Sequence, residues 1–386
     1  MKGRFLTIIG ALAAAVAVSL ASVLVAGQAP TAVANTGTPI RTPWGAPDLS
    51  GIWDAYTLTP LERPARFAGR AELTEKEAAE LAKELYQDQL LDQPRSGNDE
   101  HDVAGAYNHS VFFEHVTKFT RNRTSLVVDP PDGKIPPFTP EAQKRVSAIR
   151  DYLAALLQGT SGGKAGPPSP RRAEGPPRYN VDRMNRADGP EDRSTLERCF
   201  GFQLPVIGGA FGAGAVERIV QSPDSLSIFY DVGQGWGFNR IIPINGTRHL
   251  PADVRQQWGD ARGHWDGNAL VVDTTNFTQK TDFHGARENL HLIERFTRTD
   301  ADTLTYQVTV DDPTTWTRPW TAVVYLPKNP DKPNLVFEQT CHEGNYGLLG
   351  MLTSMRAAER AFVEGRGPDP ATMDNATGGS GPRGLE

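Results

Sequence analysis

Short runs rich in β-branched and aromatic residues fill the chain from about residue 215 to 341: AVERIVQS, SLSIFYDV, NRIIPI, NALVVDTTNF, NLHLIERFTR, DTLTYQVTVDD, TAVVYL and LVFEQT. Gly, Asp, Asn or Pro turns separate them. In the stretch from 303 to 311, Leu304, Tyr306, Val308 and Val310 fall on one face and Thr305, Gln307 and Thr309 on the other, the period of a half-buried strand. Closely spaced runs, mostly without helical segments between them, predict a mainly β fold with accessory helices. An antiparallel β-barrel or sandwich is expected, a lipocalin-like barrel ahead of the sandwich, preceded by an N-terminal helical arm.

Elsewhere the apolar spacing changes to the helical period. Thr74 followed by Glu77 makes a capping box, and Ala78, Leu81, Ala82, Leu85, Leu90 and Leu91 form a stripe of about five turns. Thr139 before Pro140 starts a second helix, whose apolar positions are Val146, Ile149, Leu153, Leu156 and Leu157. Between them RTSLVVDPPDGKIPPF reads as a strand stopped by prolines, and RTPWGAPDLSGIWDAYTLTPLERP (41–64) as an ordered irregular arm. These patterns divide the chain into an arm (35–158), a Gly/Pro-rich linker or loop (159–178), an antiparallel β domain with a C-terminal helix (179–363) and a disordered tail (364–386).

The first 34 residues change the picture of compartment. Lys2 and Arg4 precede an almost uncharged apolar run to Ala26, and Ala32-Val33-Ala34 supplies small residues for cleavage after Ala34, the layout of a secretory signal peptide. An uncleaved anchor is the alternative. Processing removes two basic residues and no acidic one, moving the formal charge from −6 to −8 and making nucleic acid a poor partner. A periplasmic or secreted protein is expected, with no stable membrane insertion after cleavage. The only two cysteines, Cys199 and Cys341, both lie in the exported part, which favours a disulfide over free thiols.

Candidate chemistry gathers around histidine. His249, His291, His342 and Glu343, with Asp260, Asp311 and Asp312, could form a proton-transfer set, since imidazole titrates near neutral pH and a carboxylate fixes its tautomer. On the strand reading His291 shares a face with Ile293 and Arg295, and His342 points away from Cys341. His291 and His342 are the expected proton-transfer residues, Asp311 or Glu343 the orienting carboxylate, and Arg295 the anion-stabilising group; Glu343 could instead cap the following helix. Trp236, Trp258, Trp265, Trp316 and Trp320, with His249, could line the mouth of a barrel and stack on a cyclic ligand. No cofactor is predicted, although a divalent metal could use the same histidines. The Gly-rich strings at 208–214 and 233–237 lack the nucleotide-binding context, and no G-x-S-x-G elbow is present.

The strings TPWGAPDLSGIW, RTSLVVDPPDGKIP, GDARGHWDGNALVVDTTNF, ENLHLIERFTRTDADTLTYQVTVDDPTTWTRPW and CHEGNYGL together resemble a large group of secreted bacterial proteins from soil and environmental genomes. The resemblance spans nearly the whole exported chain and implies one shared architecture, without an activity. His264 and His284 depart from the group pattern, which more often has Arg there, so neither is needed for a shared chemistry. His291, His342 and Glu343 match it. These readings converge on an exported, cofactor-independent lyase, isomerase or hydrolase acting on a small cyclic, aromatic or sugar-derived molecule. A small-molecule binding protein and a metal-dependent enzyme are the alternatives.

Overall fold

The computed structural model describes residues 40–89, 119–156, 170–174, 185–193, 195, 197–200, 203–207, 216–231, 237–329 and 341–372. The expected signal peptide, most of the linker, Trp236 and the strand expected before Cys341 lie outside the described residues.

Among the described residues, ten strands form two antiparallel sheets. The smaller contains β1 (Gly51–Asp54), β3 (Val216–Gln221), β4 (Ser225–Asp231) and β5 (Gly237–Pro243), in the order β1-β3-β4-β5. The larger contains β2 (Val127–Asp129), β6 (Asp260–Asp266), β7 (Ala269–Thr275), β8 (His291–Arg298), β9 (Thr303–Asp311) and β10 (Trp320–Pro327), in the order β2-β10-β9-β8-β7-β6. Period-2 alternation is realised as expected: Leu304, Tyr306, Val308 and Val310 of β9 are all buried and the intervening residues are not. Inner faces of both sheets merge into one core that includes Trp53, Leu226, Ile242, Leu270, Leu292 and Trp320.

Among the described residues the ladders make two sheets, not one continuous closed sheet. On one side a single bridge, Trp53 to Lys328, joins β1 to the end of β10, and the Asn329 N–H donates to the Ile52 carbonyl at 2.9 Å. On the other side β5 and β6 lie side by side. A Cβ added to Gly263 would stand 3.2 Å from Ile242 Cγ2, so only glycine allows that approach without the neighbour giving way.

Two segments depart from the sequence reading. Residues 51–54, expected to be irregular, form β1, because β3 supplies the ladder partners that four residues cannot supply alone. Trp53 fills the core from this strand, fully buried, with its indole N–H donating to the Leu49 carbonyl. The polar string DARGHWD forms β6; its inward positions are Ala261, Gly263 and Trp265, of which the first two are small and leave little hydrophobic signal. The arm is thus built into both sheets through β1 and β2.

Helix α1 (Glu75–Gln89) starts with the reciprocal bonds of a capping box: the Glu77 N–H donates to Thr74 Oγ1 and the Thr74 N–H to the Glu77 carboxylate. Helix α2 (Pro140–Ala155) is capped by Thr139, which accepts from the Ala142 N–H. Helix α3 (Tyr346–Val363) begins where expected, but Asn345 caps it, accepting from the Leu348 N–H. Glu343 is therefore not the cap. The segment expected to be disordered after residue 364 contains a helical turn at Pro370–Thr372, with Pro370 buried. No described helix is long and apolar enough to cross a membrane.

Cys199 and Cys341 form the expected disulfide, closing a loop of 142 residues. Chain entropy assigns such a closure a contribution of up to roughly 5 kcal/mol. A Cys199→Ser/Cys341→Ser protein should therefore unfold in urea with a free energy lower by several kcal/mol, about 5 at most. A loss below about 1 kcal/mol would show that the bridge does not constrain the unfolded chain.

Candidate functional site

On the outer face of the larger sheet, near the start of β8, two histidines converge on one carboxylate. Asp273 of β7 points outward, because Leu270, Val272 and Thr274 fill the inner phase. His291 begins β8 and lies diagonally across from Asp273, whose direct partner is Ile293. Its Nε2 is 3.1 Å from Asp273 Oδ1. His249 reaches the same oxygen from the β5–β6 connection, with its Nε2 at 3.2 Å.

Local chain chemistry fixes that connection. Asn276, at φ +57, turns its amide back to donate to the carbonyls of Leu250 and Pro251, each at 3.0 Å, and of Val254 at 3.2 Å. Asn tolerates the left-handed region better than most side chains. Gly259, at φ +67, lets the chain enter β6 against Thr275, where a Cβ would lie 2.6 Å from the Thr275 carbonyl oxygen.

Behind His249 stands Asp260, buried, with Oδ2 2.9 Å from His249 Nδ1. The same oxygen accepts the Leu250 N–H, and Oδ1 accepts from Arg262 Nη1 at 2.6 Å. These donors hold Asp260 as a carboxylate, so His249 carries its proton on Nδ1 and turns Nε2 to Asp273. A bond from Nε2 to Asp273 then requires a second proton, placed on the ring or on the carboxyl.

Electrostatics agree with that assignment. The His291 hydrogen bond to Asp273 raises the His291 pKa above its ordinary value, against partial burial and with help from the charges of Asp273 and Asp311. The same hydrogen bond lowers the pKa of Asp273, with His249 contributing in the same direction. His249, Asp273 and His291 are each about one-third exposed, at 31%, 37% and 38% of their side-chain surface. A solute can therefore reach all three.

Other expected residues are placed differently. His342 and Glu343 line a separate cleft of about 340 Å³ with Phe200, Phe238, Asn239 and Trp258; His291 does not line it. Arg295 shares the outer face with His291 as expected, but its Nη2 pairs with Asp266 at 2.8 Å and not with the histidine cluster. Asp311 stands opposite His291 in the ladder. Asp312 is a turn anchor, accepting from the Thr314 N–H and from the hydroxyls of Thr314 and Thr315. Trp316 and Trp320 are core residues, packed edge to face at 5.7 Å, and do not line a mouth. Trp265 packs against the core beside Asp266, whereas Trp258 does line the cleft. His264 is exposed on β6, and His284 sits in a turn at φ +48; neither joins the cluster.

Asp273 went unmarked in the sequence because it ends the apolar run LVVD. The signal available was phase: Val271, Asp273 and Thr275 share the face that β8 gives to His291. Among the described residues, no group of three or more His, Cys, Asp or Glu is disposed to hold a metal ion.

A second polar set lies inside the fold. Arg240 of β5 donates to both oxygens of Glu294 on β8, at 2.9 and 2.6 Å, and to Thr274 Oγ1 at 2.7 Å. Tyr306 donates its hydroxyl to Glu294 at 2.9 Å. Glu217 of β3 is buried beside them, with Oε2 making no hydrogen bond. Burial, and then the charge of Glu294, push the Glu217 carboxyl up to about 8, so it is protonated at neutral pH. A third feature, a groove of about 520 Å³ along α3, is mainly apolar; Arg186 and Arg193 at its side are paired with Asp188, Asp192 and Glu197.

No protein-family model matches the chain, and no curated protein matches it. Two solved structures are weakly similar, the crystal structures of the fluorescent protein UnaG and of a mutant of it. They show 14% and 12% identity over 30% of this chain and 72% of theirs, each at a TM-score of 0.20. That score is too low to support an argument about fold or function.

The buried acid gives a testable sign. A carboxyl whose folded pKa lies above its unfolded value of 4.5 binds more protons folded than unfolded between those two values. Its contribution is complete below pH 4.5 and is lost as the pH rises through about 8. Stability measured by urea unfolding should fall by several kcal/mol across that window, about 5 at most, and Glu217→Gln should flatten the fall. Parallel curves for the two proteins would contradict the assignment.

Proposed function

We propose that this protein is an exported enzyme working by proton transfer, with His249, Asp273 and His291 as the reacting set. Asp260 and Arg262 position His249. The observation that carries the reading is the approach of two imidazole Nε2 atoms to one carboxylate oxygen, at 3.1 and 3.2 Å, on an accessible surface. One imidazole backed by a buried carboxylate can take a proton while its neighbour gives one, the division of labour that lyase, isomerase and hydrolase reactions need. The substrate class is a small cyclic, aromatic or sugar-derived molecule. The chemistry uses side chains alone, without a cofactor.

Two further readings belong to the same proposal. The two sheets act as an incompletely closed barrel of lipocalin type, a reading supported by the Trp53–Lys328 bridge on one side and the β5–β6 approach on the other. Export to the periplasm or outside the cell is supported by the disulfide and by the signal-like first 34 residues.

Turnover of a panel of cyclic carbonyl, aromatic and sugar compounds by the mature protein tests the enzyme. His249→Ala and His291→Ala should each lower kcat/KM by at least about 100-fold, the usual weight of a general acid or base. His342→Ala should stay within a few-fold of the native protein. Full activity in both the His249 and His291 variants would sink the proposal. Stoichiometric metal in the purified protein, lost in those same variants, would transfer the residues to the metal-dependent alternative.

A further inference from the structure

His249 and His291 meet the same carboxylate, but their rings are not equally committed. Both nitrogens of His249 face carboxylate oxygens, Nδ1 at 2.9 Å from Asp260 Oδ2 and Nε2 at 3.2 Å from Asp273 Oδ1. His291 commits one nitrogen: its Nε2 stands 3.1 Å from Asp273 Oδ1, while its Nδ1 makes no hydrogen bond among the described residues and is not buried. Overall exposure does not separate the two rings, which leave 31% and 38% of their side-chain surface in water. Hydrogen bonding does.

The contacts run in a line. Arg262 Nη1 donates to Asp260 Oδ1 at 2.6 Å, Asp260 meets His249, His249 meets Asp273, and Asp273 meets His291. The far end is fixed, since Asp260 is buried and also accepts the Leu250 N–H. The near end is open at His291 Nδ1. With Nε2 held to a carboxylate, the neutral ring keeps its proton on Nε2 and its lone pair on Nδ1, the arrangement of a base oriented from behind. Asp311, opposite His291 on β9, is the other charge that acts on this ring. Asp273 is the weaker base of the two, because its bond to His291 lowers its own pKa.

We propose that His291 Nδ1 is the one atom of the cluster that exchanges a proton with substrate, and that His249 is a positioning residue acting through Asp273. This rests on the proton-transfer reading and narrows it to a one-base reaction. The lone pair on Nδ1 takes a proton from the substrate, the electrons of the broken bond stay on the substrate, and the same nitrogen returns the proton to another atom of the reacting molecule. The proton on Nε2 stays with Asp273 throughout. A single base works from one side, so the proton leaves and returns on the same face of the substrate.

Diethyl pyrocarbonate, which acylates accessible unprotonated imidazole nitrogens, tests the assignment on the intact protein. Above the pH at which His291 loses its proton, peptide mapping should find His291 modified about tenfold or more faster than His249, because His249 must first break a bond to a carboxylate. Equal rates, or His249 the faster, would overturn the proposal. Turnover of a panel compound gives a second contrast. His249→Gln keeps an N–H for Asp273 but cannot shuttle a proton, so it should recover to within about tenfold of the native kcat/KM, whereas His291→Gln should stay at least about 100-fold down. A His249→Gln protein as slow as His249→Ala would also overturn the proposal. Lack of turnover counts against the proton-transfer reading, while the acylation contrast decides the nitrogen assignment by itself, so the two failures are separate results.

Discussion

Arg240 and Glu294 meet in the interior, one from each sheet, through two hydrogen bonds at 2.9 and 2.6 Å. Taking both charges out of water is costly, and the pair repays that cost only while its geometry is complete, with Thr274 and Tyr306 supplying further bonds to the same groups. Removing one partner would leave a bare buried charge, a loss of about 3–5 kcal/mol. The pair therefore constrains the sheets: β5 must face β8 at this level, and the phase of both strands is set. With Glu294 inward, the pleat sends His291 outward, and with Thr274 inward it sends Asp273 to the same outer face. A slip of one residue in β8 would turn His291 inward and break the inner ion pair at once, and a slip in β7 would turn Asp273 inward and take Thr274 away from Arg240.

His249 depends on a different device. It comes from a loop, and loops owe their placement to anchors at their ends. Here the anchors are the three carbonyls gathered by Asn276, the Leu250 N–H bond to Asp260 and the turn at Gly259. Asp260 serves both backbone and imidazole, so the contact that seats the loop also sets the tautomer of His249. Positioning and proton placement are one interaction at this corner.

Much of this was legible from alternation alone. The inward face of β9, both helix caps at Thr74 and Thr139, the start of α3 and the cysteine pair follow from period, capping chemistry and compartment. His291 and Arg295 do share an outer face. Sequence could not supply which strands neighbour each other, and the site depends on that: Asp273 matters because β7 lies between β6 and β8. The tryptophans misled because turn proximity says nothing about direction; Trp316 and Trp320 point into the core, while Trp258 faces a cleft. His342 was paired with His291 on chemical type, and the fold separates their settings. β6 escaped notice because alanine and glycine on its inner face carry almost no hydrophobic signal.

The central claim is that one carboxylate couples two imidazoles, and the direct measurement is the titration of the histidine ring nitrogens by NMR in the native protein and in Asp273→Asn. With Asp273 present, His291 should hold its proton above the ordinary histidine range, losing it only as the pH rises through that raised value. The asparagine variant should bring the His291 pKa down toward that of a free imidazole and move the Nε2 signal of His249, whose contact with the carboxylate is lost. An unchanged His291 curve together with an unmoved His249 signal would contradict the coupling, and with it the proton-transfer role assigned to the cluster.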